Sequence, residues 1–119
     1  MAHVLVVDDE PLIRKSITRT LMSHFDTVEA ADGSSAALLL GGQVFDVVIS
    51  DRDMPNRNGV WLLEQVRDKQ PGALRVLMSG HDPVDLAAYL SSGLVQKWLP
   101  KPFSSAELLV CLGIKPAST

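Results

Sequence analysis

The chain has 119 residues, with 14 acidic against 11 basic side chains and a net charge of −3. That balance excludes a domain-wide basic field, and with it nonspecific nucleic-acid binding by the whole surface. Hydrophobic residues make up 46% and charged residues 21%, which excludes a disordered chain and predicts one globular domain over 1–119. Its core is expected at about 3–112, with 113–119 a tail or the start of a linker. The single cysteine, Cys111, permits neither an internal disulfide nor a zinc site, so a reducing, cytoplasmic setting is expected. The apolar stretch after Met1-Ala2-His3 is too short for a signal peptide or a membrane span, so no membrane association is expected.

Val4-Leu5-Val6-Val7 reads as a strand buried on both faces, stopped by Asp8-Asp9-Glu10-Pro11. From Pro11 the period changes. Ile13, Ile17 and Leu21 recur every four residues among Arg14, Lys15, Thr18 and Arg19, an amphipathic helix whose first turn suits a proline. Thr27 to Ala31 is a second strand, and Asp32-Gly33-Ser34 is turn and cap chemistry before a helix over about 35–40. Asp46 to Ser50 is a third buried strand with Asp51 at its end. A polar loop runs to Gly59, and Leu62, Leu63 and Val66 mark a helix to about Lys69. Arg75 to Ser79 is strand four, and Asp82-Pro83 caps a helix to about Ser92. Val95 to Leu99 is strand five, and Ser104 caps a last helix to about Leu112. Strands alternating with helices imply an α/β domain, a parallel sheet covered on both faces.

In such sheets ligands sit outside the carboxyl ends of the strands. Those ends carry Asp8 and Asp9 after strand one, Asp51 after strand three, Ser79 after strand four and Lys101 after strand five. If strands one, three and four are neighbours, three carboxylates converge. Their mutual repulsion is relieved by a hard divalent cation such as Mg²⁺. A lysine ammonium supplies a point charge, and a serine hydroxyl a donor, for phosphoryl oxygens. The set reads as a phosphoryl-transfer site in which a carboxylate is the acceptor.

At these residues the sequence resembles the response-regulator receiver domains of bacterial two-component signalling, chemotaxis regulators among them. The matching segments are Val4 to Pro11, then Val47-Val48-Ile49-Ser50-Asp51 with Met54-Pro55 and Gly59. Val76-Leu77-Met78-Ser79-Gly80 and Lys101-Pro102-Phe103 complete the set. The resemblance implies a flavodoxin-like (βα)5 fold with strand order 2-1-3-4-5. It implies that Asp51 accepts a phosphoryl group from a sensor histidine kinase or a phosphotransfer protein. Mg²⁺ would be held by Asp9, by Asp8 through water, by Asp51 and by the main-chain carbonyl of Asp53. Lys101 would bind a phosphoryl oxygen, Ser79 would be the switch hydroxyl, and Trp98 would stand at the aromatic switch position. The output surface would be helix four, strand five and helix five, carrying Leu86, Tyr89, Lys97 and Glu107, and its target a downstream effector protein or output domain. Such a domain is not an enzyme in the ordinary sense, because it catalyses only its own phosphorylation and dephosphorylation. No direct nucleic-acid contact by this domain is expected. The short last helix lacks a basic residue, which weakens but leaves open a homodimer.

Three departures from the family pattern stand out. Arg52 and Asp53 flank the acceptor where apolar residues are frequent, and with His81 they occupy positions expected to tune phosphoryl lifetime. Pro100 directly precedes Lys101, which is unusual, whereas the resemblance itself makes Lys101–Pro102 the candidate cis peptide, since that bond is commonly cis in the family. Trp61 and Tyr89 are expected in packing or at an interface, Cys111 as a buried small hydrophobe, and His3 and His24 at the surface. Two further readings stay open. One is a pseudo-receiver that binds partners without taking phosphate. The other is a haloacid-dehalogenase-type phosphohydrolase built on Asp51-Arg52-Asp53, a reading that leaves Asp8-Asp9 unexplained.

Overall fold

A computed structural model describes residues 2–80 and 85–115. Five strands and five helices alternate in it: β1 (His3–Val7), α1 (Pro11–Leu21), β2 (Asp26–Ala30), α2 (Gly33–Leu40), β3 (Val47–Asp51), α3 (Gly59–Lys69), β4 (Leu74–Ser79), α4 (Leu86–Ser92), β5 (Lys97–Pro100) and α5 (Ser105–Cys111). All pairings are parallel and the sheet order is β2-β1-β3-β4-β5. The expected doubly wound architecture is therefore present.

The period of two along each strand divides the core. Leu5, Val7, Val48 and Leu77 point to one face, where they pack with Ala36 and Leu40 of α2 and Leu62, Leu63 and Val66 of α3. Val4, Val6, Ile49, Val76 and Met78 point to the other, against Ile17 and Leu21 of α1 and Leu108 of α5. Because β1 and β3 are covered on both sides, all their apolar residues are buried. That explains why they read as unbroken hydrophobic runs rather than as alternating patterns.

Several element ends differ from expectation by one to three residues. β3 extends to Asp51, which makes Asp51 its last paired residue, opposite Met78. β2 starts one residue earlier than predicted and stops at Ala30. β5 starts at Lys97 rather than Val95 and takes in Pro100. Val95 belongs instead to the turn after α4, its N–H donating to the Tyr89 carbonyl. Pro100 is tolerated because β5 is the sheet edge and needs no second partner. Asp32 and Ser104 cap α2 and α5 as expected, the latter in a full capping box with Glu107. The expected cap at Asp82-Pro83 lies outside the described residues. The described helix α4 begins at Leu86, with Asp85 at its N-cap.

Candidate functional site

Order β2-β1-β3 reverses direction at β1, so the crevice between the ends of β1 and β3 is the topological switch point. Asp8 and Asp9 follow β1, and Asp51 ends β3. One carboxylate oxygen from each lies within 4.8 Å of the others. Lys101, carried in from the end of β5, places Nζ 3.0 Å from Asp8 Oδ2 and 3.1 Å from Asp51 Oδ1. Three carboxylates thus face one ammonium, which pairs with two of them, and they keep an excess of negative charge.

Burial sharpens that excess. Asp8 has no exposed surface and Asp51 is buried, while Asp9 faces solvent at the rim. Burial pushes the Asp51 carboxyl above its ordinary range. The Lys101 ammonium opposes this, and the charges of Asp8 and Asp9 add to the rise. Burial acts against the Lys101 ammonium too, but hydrogen bonds and charge from Asp8 and Asp51 outweigh it and raise its pKa. Three oxygen ligands with unbalanced negative charge suit a hard divalent cation, so this donor set could hold one.

Asp8 is the most firmly fixed of the three. Its Oδ1 accepts from Glu10 N at 2.9 Å and its Oδ2 from Lys101, while its carbonyl accepts from Arg14 Nη1 at 2.7 Å. Arg14 is in turn paired with Glu29 at 3.0 Å. With both oxygens engaged, Asp8 orients the site, whereas Asp9 and Asp51 have more room to bind. In the sequence Arg14 is one polar residue among several on an amphipathic helix, and Glu29 carries no signal of its own. No local motif marks a residue that reaches the site through a main-chain carbonyl.

Ser79 is buried at the end of β4, and its carbonyl accepts from Lys101 N at 2.8 Å, which ties the ends of β4 and β5 together. Trp98 is half-buried on β5 opposite Leu77, and its indole Nε1 is buried without a hydrogen-bond partner. Arg52 sits beside Asp51, but its guanidinium points away, 3.6 Å from Asp85 at the start of α4. The hydroxyl of Tyr89 donates to the same Asp85 carboxylate. Asp53 is exposed, and His81 lies outside the described residues. The Lys101–Pro102 peptide is cis, as expected. His24 is exposed, but His3 is half-buried, with Nδ1 3.9 Å from Asp26 and 3.4 Å from Gln43 Nε2, because β1 pairs beside β2. Cys111 is half-buried rather than buried, and burial raises its thiol pKa.

Residues 4–112 match the family described as response regulator receiver domain. The chain is 32% identical over 109 residues to the hydrogenase transcriptional regulatory protein HoxA of Cupriavidus necator, covering 91% of this chain and 23% of that protein. It is 39% identical over 111 residues to the sensor kinase CckA of Brucella abortus, covering 90% of this chain and 12% of the kinase. The chain therefore spans only a small part of the length of these relatives. Among solved structures, the Vibrio cholerae chemotaxis protein CheY4 superposes with a TM-score of 0.87 at 30% identity, covering 95% of this chain and 97% of that one. No described helix is long and apolar enough to cross a membrane.

Proposed function

The chain belongs to the response regulator receiver domain family of two-component signalling, and from that premise we propose that Asp51 is its phosphoacceptor and Mg²⁺ its cofactor. The observation that carries this reading is the 3.1 Å approach of Lys101 Nζ to Asp51 Oδ1 within the three-carboxylate cluster. Asp51 ends a strand buried on both faces, so its carboxylate is presented at a fixed position at the sheet edge.

In the proposed step an Asp51 oxygen attacks the phosphorus of a partner's phosphohistidine. The P–N bond breaks and the imidazole, already protonated on its other ring nitrogen, leaves as the neutral histidine side chain. Lys101 compensates negative charge on the transferring oxygens, and Asp8 holds Lys101 in place. Asp8, Asp9, Asp51 and the main-chain carbonyl of Asp53 would hold Mg²⁺, which when bound would supply further positive charge to those oxygens. The family assignment disfavours the phosphohydrolase alternative, which also leaves Asp8 and Asp9 without a role. An apolar groove of about 480 Å³ borders Lys101, between Leu12, Ile13 and Ser16 of α1 and Pro102 and Phe103. Leu12 is 86% exposed there, which supports this face as the place where the kinase or phosphotransfer partner docks.

Phosphorylation replaces the single negative charge of the Asp51 carboxylate with a phosphoryl group carrying about −1.5 to −2, with its strong acceptor oxygens. Ser79 ends the neighbouring strand and can donate to a phosphoryl oxygen. The unsatisfied Trp98 Nε1 supports a residue that gains by moving. Together they would bias the α4–β5–α5 surface toward an effector or output domain, with Arg52, Asp53 and His81 tuning the phosphoryl lifetime.

Acetyl phosphate and Mg²⁺ are expected to add one phosphoryl mass to the wild type and none to Asp51→Asn. A variant that gains the mass at the wild-type rate would overturn the assignment, and an unlabelled wild type would favour the pseudo-receiver. Ser79→Ala should still be phosphorylated but lose the Trp98 fluorescence change, read in a Trp61→Phe background. Full retention of that change would refute the coupled switch.

A further inference from the structure

The loop joining Asp51 to α3 is pinned at both ends and at its apex. Arg52 N donates to the Met78 carbonyl at 2.9 Å, and Gly59 N donates to the Arg52 carbonyl at 2.9 Å. Gly59 packs so tightly that a Cβ there would lie 2.1 Å from the Asp51 carbonyl oxygen. At the apex Asn56 and Arg57 have φ of 52° and 82°, the left-handed region that side chains other than glycine occupy at a cost.

A separate element holds the apex there, the start of α2. Ser34 donates from both N (2.9 Å) and Oγ (3.0 Å) to the Asn56 carbonyl. Asn56 Nδ2 donates to Asp32 Oδ2 at 3.3 Å, while Asp32 Oδ1 caps Ser35 N at 2.7 Å. Gly33 lies against Arg57 so closely that a Cβ would sit 2.4 Å from its carbonyl oxygen. Only a residue without a side chain fits between the helix and the loop.

We propose that Asp32, Gly33 and Ser34 are positioning residues for the acid cluster, clamping the loop so that Asp51 keeps the geometry a divalent cation needs. The proposal rests on the phosphoacceptor reading and extends it to residues whose described hydrogen bonds run to the loop and within α2, not to the site carboxylates. The path is short: the apex is tied to α2, the loop returns at Gly59 onto the Asp51 carbonyl, and Asp51 belongs to the cluster. Because the clamp sets ligand geometry and supplies no charge to the transferring group, its loss should appear in Mg²⁺ affinity and not in the rate at saturating Mg²⁺.

Trp61 in the first turn of α3 provides the probe, since the Arg57 guanidinium lies 5.0 Å from its ring centroid. Mg²⁺ is titrated against Trp61 fluorescence in a Trp98→Phe background, and acetyl phosphate labelling is followed across the same Mg²⁺ range. Gly33→Ala is expected to weaken Mg²⁺ binding about tenfold. Its labelling rate at saturating Mg²⁺ should stay within about twofold of wild type. Ser34→Ala, which removes one of two donors without steric conflict, should weaken binding by a smaller factor and carries the test if Gly33→Ala does not fold. Wild-type Mg²⁺ affinity in the folded variants would overturn the clamp alone. A wild-type chain that bound no Mg²⁺ would overturn both the clamp and the reading of the site.

Discussion

Lys101 and Arg75 are both cations withdrawn from water, one at the carboxyl edge of the sheet and the other near the amino end of β4. Arg75 is only 6% exposed, and carbonyls surround it. Its Nε donates to Leu94 at 2.9 Å, its Nη2 to Gly93 at 2.8 Å, and its Nη1 to Pro71 and Ala73 at 3.3 and 3.4 Å. Burial, and then the charge of Arg67, lower its pKa. These dipoles satisfy the guanidinium and fasten the end of α4 and the α3–β4 turn to the strand. Lys101 meets full charges instead, and more of them than it can neutralise. A cation matched by dipoles is a finished piece of structure. A cation outnumbered by carboxylates leaves a remainder of negative charge, which in the proposed function takes up another cation and then a phosphoryl group.

Substitutions at the two sites should separate these roles. Lys101→Ala is expected to slow acetyl phosphate labelling by about 10²–10³-fold, since in the proposed step its charge compensates the transferring oxygens. It should keep its fold and gain more in melting temperature from Mg²⁺ than wild type, because its carboxylates are less compensated. Arg75→Ala should behave in the opposite way. It is expected to lose about 3 kcal/mol of stability, through orphaned carbonyls and a cavity. Its labelling rate should be unchanged below its melting transition. Chemical denaturation beside the labelling assay checks both, and equal stability losses in the two variants would erase the distinction.

A smaller effect concerns charge crowding. Asp9→Ala should raise the melting temperature of the metal-free protein by a few degrees and remove most of its Mg²⁺ affinity. A drop in melting temperature would make Asp9 a structural cap. Asp51→Asn should also stabilise the metal-free protein at neutral pH. A carboxyl whose folded pKa is raised contributes stability at low pH and loses it as pH rises through the folded value. The advantage of the Asp51→Asn variant over the wild type should therefore shrink on acidification and vanish below the ordinary carboxyl range. Thermal melts across that range provide the check, and a pH-independent difference would contradict the shift.

Much of this molecule is legible in its sequence because its parallel strands are covered on both faces. Val4 to Val7 and Val47 to Ile49 have to be continuous apolar runs, and the acids that end them have to share one edge. Boundaries were less legible where a tertiary contact decides them. β5 is short and lies at the edge, so its start depends on pairing with β4 and on the turn after Gly93. The carboxylates and the lysine announced themselves by position. Arg14, Glu29 and the Asp32–Asn56 clamp did not, because they act through main-chain atoms or across elements distant in sequence. Arg75 was equally hidden, since one arginine at the start of a strand resembles a solvated charge.

In the proposed reaction the carboxylate at the end of β3, and no other in the cluster, carries the phosphoryl group. Borohydride reduction of the labelled protein converts a phosphorylated aspartate to homoserine, and peptide mass spectrometry locates it. Homoserine is expected at position 51 alone, dependent on both Mg²⁺ and the phosphodonor. Homoserine at Asp8, Asp9 or Asp53, or none in a folded and Mg²⁺-saturated chain, would contradict the account.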